Sequence, residues 1–180
     1  MSEKNEAKLL VRVGIIAAFA TLAFIGTIIL RIPIPATGGY FNLGDTFVMI
    51  AGLLYGPVVG GLVGLIGPAA ADAVGYPPYI LATAIVKGLE GLAVGFIGGG
   101  RRSASIGKTM TALLTGIIII AVGYYIFEAV IYPLLAKSVP FFGVTDSKAA
   151  LAEIVPNLLQ GAISAVIAFG IWRVFRRKAD

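Results

Sequence analysis

Three apolar stretches of this sequence carry polar and aromatic side chains at helical spacing. Tyr79, Thr83, Lys87 and Glu90 stand at i, i+4, i+8 and i+11. Tyr124, Glu128 and Tyr132 repeat every four residues, with Tyr125 adjacent. Glu153, Asn157, Gln160 and Ser164 stand at i, i+4, i+7 and i+11. Each spacing puts its set on one helix face. Amide, ammonium and carboxyl groups beside aromatic rings suit non-covalent capture of a planar, hydrogen-bonding solute. They do not suit covalent chemistry. The chain has no cysteine and no histidine, so thiolate sites, the commonest general base and the commonest metal ligand are missing. No catalytic residue, metal or cofactor is assigned.

These stripes lie in a chain made for lipid. Of 180 residues, 58% are hydrophobic and 13% charged, against roughly 25% charged in a soluble domain. A bilayer core needs about 20 helical residues to cross it. Apolar runs separated by Pro/Gly turns place six helices at about 9–30, 43–55, 57–73, 79–97, 109–135 and 149–174. The second and third are short for full spans. The fold class expected is an all-α integral membrane protein, one domain over residues 1–180, with a retained first span in place of a cleaved leader.

Lysine and arginine placement orients it. With the N-terminus cytoplasmic, Lys4, Lys8, Arg12, Arg101, Arg102, Lys108, Arg173, Arg176, Arg177 and Lys178 fall inside, and only Arg31, Lys137 and Lys148 outside. Both termini are therefore expected in the cytoplasm. At about 1.5 Å per residue, Tyr79 and Thr83 then lie near the outer surface and Lys87 near mid-membrane. Glu128, Tyr132, Glu153, Asn157 and Gln160 fall in the outer half. The overlap in depth predicts an outward cavity lined by Tyr79, Lys87, Tyr125, Glu128, Tyr132, Asn157 and Gln160, with Asn42 from the preceding loop.

Each residue also has a plainer reading. Lys87 can pair with Glu90 or Asp72, and the tyrosines can belong to an interfacial belt. Asn157 and Gln160 can bond between helices. Asp45 with Thr46 reads as a helix cap. Gly38, Gly39, Tyr40 and Phe41 read as a gate loop over the cavity. Gly60/Gly64 form a GxxxG pair, and Gly14/Ala18 and Ala17/Thr21 repeat the small-residue spacing on the first helix. Ser105-Ile-Gly-Lys-Thr lacks the opening glycine of a phosphate-binding loop.

The block Phe41-Asn-Leu-Gly-Asp-Thr-Phe-Val-Met-Ile-Ala-Gly-Leu-Leu-Tyr-Gly-Pro-Val-Val-Gly-Gly-Leu-Val-Gly, with Ala71-Asp72, Gly75-Tyr76 and Ala84-Ile-Val-Lys-Gly-Leu-Glu-Gly, resembles the S components of energy-coupling factor (ECF) vitamin transporters. The subfamily it most resembles includes the hydroxymethylpyrimidine and pyridoxine S components. That resemblance implies a multi-pass protein of a prokaryotic cell membrane that binds one vitamin or precursor in an outward pocket, gated by the loop after helix one. It implies as partners a transmembrane T component, met by Gly14, Ala17, Ala18 and Thr21, and two ABC ATPases, with no nucleic acid. The expected ligand is of the hydroxymethylpyrimidine or pyridoxine type, then riboflavin. The rival is a self-sufficient secondary transporter, proton-coupled through Asp72, Lys87, Glu90 and Glu128. An intramembrane enzyme fits least, for want of any catalytic constellation.

Overall fold

The computed structural model describes residues 2–35, 37–99, 104–142 and 145–177. Arg101, Arg102 and Lys178, which weigh in the charge asymmetry, lie outside the described residues, as does the side chain of Arg177. Six long helices form the body: α1 (Glu3–Ile29), α2 (Gly44–Tyr55), α3 (Pro57–Asp72), α4 (Ile80–Gly98), α5 (Ile106–Ala136) and α6 (Ser147–Arg177). Helices α1, α5, α6 and the stretch Pro77–Gly98 containing α4 are long and apolar enough to cross a bilayer. Between α1 and α2 the expected gate loop is a two-stranded antiparallel hairpin, β1 (Ile32–Ile34) with β2 (Gly39–Phe41).

Apolar side chains cover much of the outside, among them Leu10, Phe96, Val155 and Val166. That surface is stable only against lipid. Inside, the inner faces of α2, α4, α5 and α6 share a core of Met49, Leu53, Val86, Ile120 and Trp172. A smaller cluster of Ala23, Val48, Val59 and Val63 joins α1 to α2 and α3.

Helices α3 and α4 cross at backbone contact. A Cβ on Gly64 would overlap the Lys87 carbonyl, and one on Gly60 would overlap that of Gly91. Small residues let the two helices approach this closely, the usual device where lipid supplies no drive for association. The α2–α3 break is set by Gly56, whose φ of 91° is costly for any side chain with a Cβ; Pro57 then opens α3.

Helix α5 widens to a π-helical turn over Phe127–Ile131, where the Tyr132 N–H reaches back to the Phe127 carbonyl. Pro133 explains it. Its ring would collide with the carbonyl four residues earlier, and the wider turn relieves the clash. Helix α6 continues through Pro156.

Candidate functional site

The depth at which α2 begins creates the cavity. The Lys87 ammonium is ion-paired with the Asp45 carboxylate, so the two residues share a level. Lys87 lies seven residues into α4, about 10 Å in from its N-terminal end at 1.5 Å per residue. Helix α2 therefore starts deep in the protein. The space above it is bounded by irregular chain, tolerated at that depth because it lines a cavity. The cavity is tight: about 20 Å³ is open to the centre of a water-sized sphere, room for about one water, so with the hairpin down it is smaller than a typical ligand pocket.

Its floor is a closed polar network. Gln160 Nε2 donates to Asp45 Oδ2 at 2.8 Å, and Gln160 Oε1 accepts from the Asn42 backbone N–H at 2.7 Å and from Asn42 Nδ2 at 3.2 Å. Asn42 Oδ1 accepts from the Gly44 N–H at 2.9 Å. Asn42 therefore caps α2 through its side chain, and Asp45, expected as the cap, makes no cap bond. Lys87 pairs with neither Glu90 nor Asp72 but with Asp45, on the neighbouring helix. The Lys87 Nζ also lies 5.5 Å from the Tyr124 ring centre, and the Tyr124 and Thr83 hydroxyls are 2.9 Å apart.

The roof is the hairpin. Thr37 donates its hydroxyl to Glu153, and Tyr40 donates to Asp72. Burial, then the charge of Asp72, pushes the Tyr40 phenol up, so it keeps the proton it donates. The Tyr79 hydroxyl donates to the Thr37 carbonyl at 2.9 Å. Arg31 braces the hairpin from outside, donating to the Ala71 and Val74 carbonyls at 2.6 Å each. Its guanidinium lies 5.0 Å from the Tyr40 ring centre and 5.2 Å from that of Tyr76.

Of the expected pocket residues, Asn42, Tyr79, Lys87, Asn157 and Gln160 line this cavity, with Gly39 and Tyr40 of the gate. Gly38 lies instead at the hairpin turn, on a shallower outer recess with Pro35 and Tyr76. Phe41 is half-buried at the end of β2. Three expectations on α5 are corrected. Tyr125 is half-buried and off the cavity; the ring on the wall is Tyr124. Adjacent helix positions point about 100° apart, so only one of the pair can face inward. Tyr132 is buried outside the cavity, donating to the Pro78 carbonyl at 2.8 Å and stacking on Phe142. Glu128 is buried beside Glu153 and Tyr79 without lining the cavity.

The sequence reading passed over Asp72, Thr83, Tyr124 and Glu153 on the wall, and Asp45 beneath it. Thr83, Tyr124 and Glu153 sit on the same stripes as residues it chose. Asp45 and Asp72, acids next to apolar runs, carried the signal that singled out Lys87. Among the described residues no group of three acidic side chains could hold a metal. The side chain of Asn157, a residue 6% exposed, makes no hydrogen bond among the described residues.

On α1, Gly14, Ala17, Ala18 and Thr21 are exposed, on the face opposite Ala20, Ala23 and Thr27, which are buried. An uncovered small-residue stripe and a polar cavity roofed by the hairpin occur here in one six-helix body.

Comparison with known proteins gives this arrangement a family. A solved structure described as "Structure and mechanism of the S component of a bacterial ECF transporter" superposes with a TM-score of 0.71 at 19% identity, covering 94% of this chain and 97% of that one. That likeness shows the fold. The "Uncharacterized protein in gap 3'region" of Pyrococcus woesei is 32% identical over 152 residues, 84% of this chain and 93% of that protein. The family profile described as ECF-type riboflavin transporter, S component, matches residues 4–177. With nearly the whole length matched, the chain belongs to the ECF-type riboflavin transporter S-component family, multi-pass membrane proteins that bind substrate for a transporter and are not enzymes.

Proposed function

We propose that this chain captures a small heterocyclic vitamin or precursor from outside the cell and delivers it to an ECF-type importer made with a T component and two ABC ATPases. The observation that carries this reading is the enclosed polar cavity beneath the hairpin, with the Asn157 amide on its wall and unpaired among the described residues. In this reading Asn157, Lys87 and Tyr79 contact the ligand, Tyr124 stacks on it, and Asn42 and Gln160 hold the floor. Tyr40 and Gly39 close over it.

The density of hydrogen-bonding groups around so tight a cavity favours a single-ring pyrimidine or pyridine, of the hydroxymethylpyrimidine or pyridoxine type. Riboflavin is the second reading, favoured by the family profile. The test is thermal unfolding of the purified protein with each compound. A ligand at a hundred times its dissociation constant stabilises the fold by about 2.7 kcal/mol. Stabilisation by riboflavin alone would reverse the order of the two readings, and stabilisation by none would remove both.

The exposed stripe of Gly14, Ala17, Ala18 and Thr21 is the proposed contact with the T component. Ala18→Trp should abolish ATP-driven uptake and leave binding by the isolated protein intact. Loss of both together would show that the stripe serves the fold. Co-purification of the ATPases separates this reading from a self-sufficient secondary transporter, which would come down alone.

A further inference from the structure

The charges around the cavity do not balance. Lys87 is the only lysine or arginine on its wall among the described residues, and Asp45 neutralises it. Asp72 and Glu153 also line the wall. Their hydrogen-bond partners are the neutral hydroxyls of Tyr40 and Thr37, which supply no counter-charge. Arg31 offsets Asp72 only from beyond the Tyr40 ring, since its Nη atoms are bound to backbone carbonyls.

Two further carboxyl groups stand behind this wall. Glu128, fully buried, adjoins Glu153 with neither oxygen hydrogen-bonded. Glu90, fully buried and likewise without a partner, stands beside the Asp45–Lys87 pair. Like charges in contact do not both ionise, so Glu128 and Glu153 count as one negative charge. Even so, the Glu153 side of the cavity has no counter-ion among the described residues. An uncompensated charge in a low-dielectric interior is expensive. The tyrosine rings on the wall, Tyr40, Tyr79 and Tyr124, also attract cations over their faces.

We infer that the ligand carries a positive charge, a protonated amine or ring nitrogen on a planar heterocycle, seated between Glu153 and Asp72. This rests on the cavity being the vitamin site and narrows the class of compound it takes.

Matched pairs test it. Pyridoxamine and pyridoxine differ in one aminomethyl for one hydroxymethyl group. The aminomethyl and hydroxymethyl forms of a single aminopyrimidine differ in the same way. Each is titrated into the purified full chain near neutral pH. The ammonium member of at least one pair should bind about 10- to 150-fold tighter, the range of a hydrogen bond to a charged group. Glu153→Gln should collapse that preference toward unity while the alcohol member still binds. Asp72→Asn reads the other side of the seat and serves if Glu153→Gln does not fold. The inference is overturned if the alcohols bind as tightly as the amines, or if the preference survives the substitutions. If neither these compounds nor riboflavin bind, the vitamin reading itself fails and the inference goes with it.

Discussion

Asn157 and Gln160 sit one turn apart on one face of α6, yet they do different work. The Gln160 side chain is engaged with Asn42 and Asp45, whereas the Asn157 side chain has no hydrogen bond among the described residues. Asn157→Ala should therefore weaken ligand binding by about 5- to 150-fold, the loss of one buried hydrogen bond of about 1–3 kcal/mol, with the apo melting temperature unchanged. Gln160→Ala should lower that melting temperature, because it strands groups on Asn42 and Asp45. Paired titration and melting curves separate the two roles. A further expectation concerns the buried ion pair. Asp45→Asn leaves the Lys87 ammonium unpaired and should destabilise the protein by about 3–5 kcal/mol. Adding Lys87→Met should recover most of that loss, read by denaturation in detergent. Helical period alone placed Lys87, Asn157 and Gln160 on inward faces. It did not give Lys87 its partner, because Asp45 is 42 residues away and only packing brings them level.

At the scale of elements, a bundle of six helices was legible because prolines and glycines punctuate the apolar runs. The sequence did not show how deep α2 begins. An apolar run starting near Leu43 looks the same whether it starts level with the end of α4 or about 10 Å below it, and that difference makes the cavity. The hairpin was legible only as a loop: each strand has three residues, too few for a period-two signal. The π turn, which follows from Pro133, was also missed. The α3–α4 crossing gives a direct test. Gly64→Ala drives a methyl into the Lys87 carbonyl, a backbone atom that cannot rotate away. It should cost at least the 1–3 kcal/mol typical of overpacking, or prevent folding, as judged by size-exclusion profile and melting. Gly14→Ala, with nothing within 4 Å of the new carbon, should leave both unchanged.

For the whole molecule, orientation decides whether the cavity can meet solute at all. The chain lacks native cysteine, so single cysteines report sidedness cleanly. Lys4→Cys should react with a membrane-impermeant thiol reagent only after the cells are opened, and Ser138→Cys in intact cells. Labelling of Lys4→Cys from outside would invert the molecule and turn the cavity inward. The bundle was predictable at this scale because lipid imposes it: apolar composition, span length and the lysine and arginine asymmetry are each properties of the chain. The hairpin's ties to the helices and the network beneath it depend on contacts among distant residues.

The hairpin has a consequence for time as well as shape. Thr37, Tyr40 and Asn42 hold it to Glu153, Asp72 and Gln160, on two different helices. Those contacts must part before solute can pass. In rapid mixing, the observed association rate should then rise with ligand concentration only to a ceiling, the frequency at which the closed lid lifts unaided. Tyr40→Phe removes one tie and should raise that ceiling. It should quicken dissociation too, so that residence time falls.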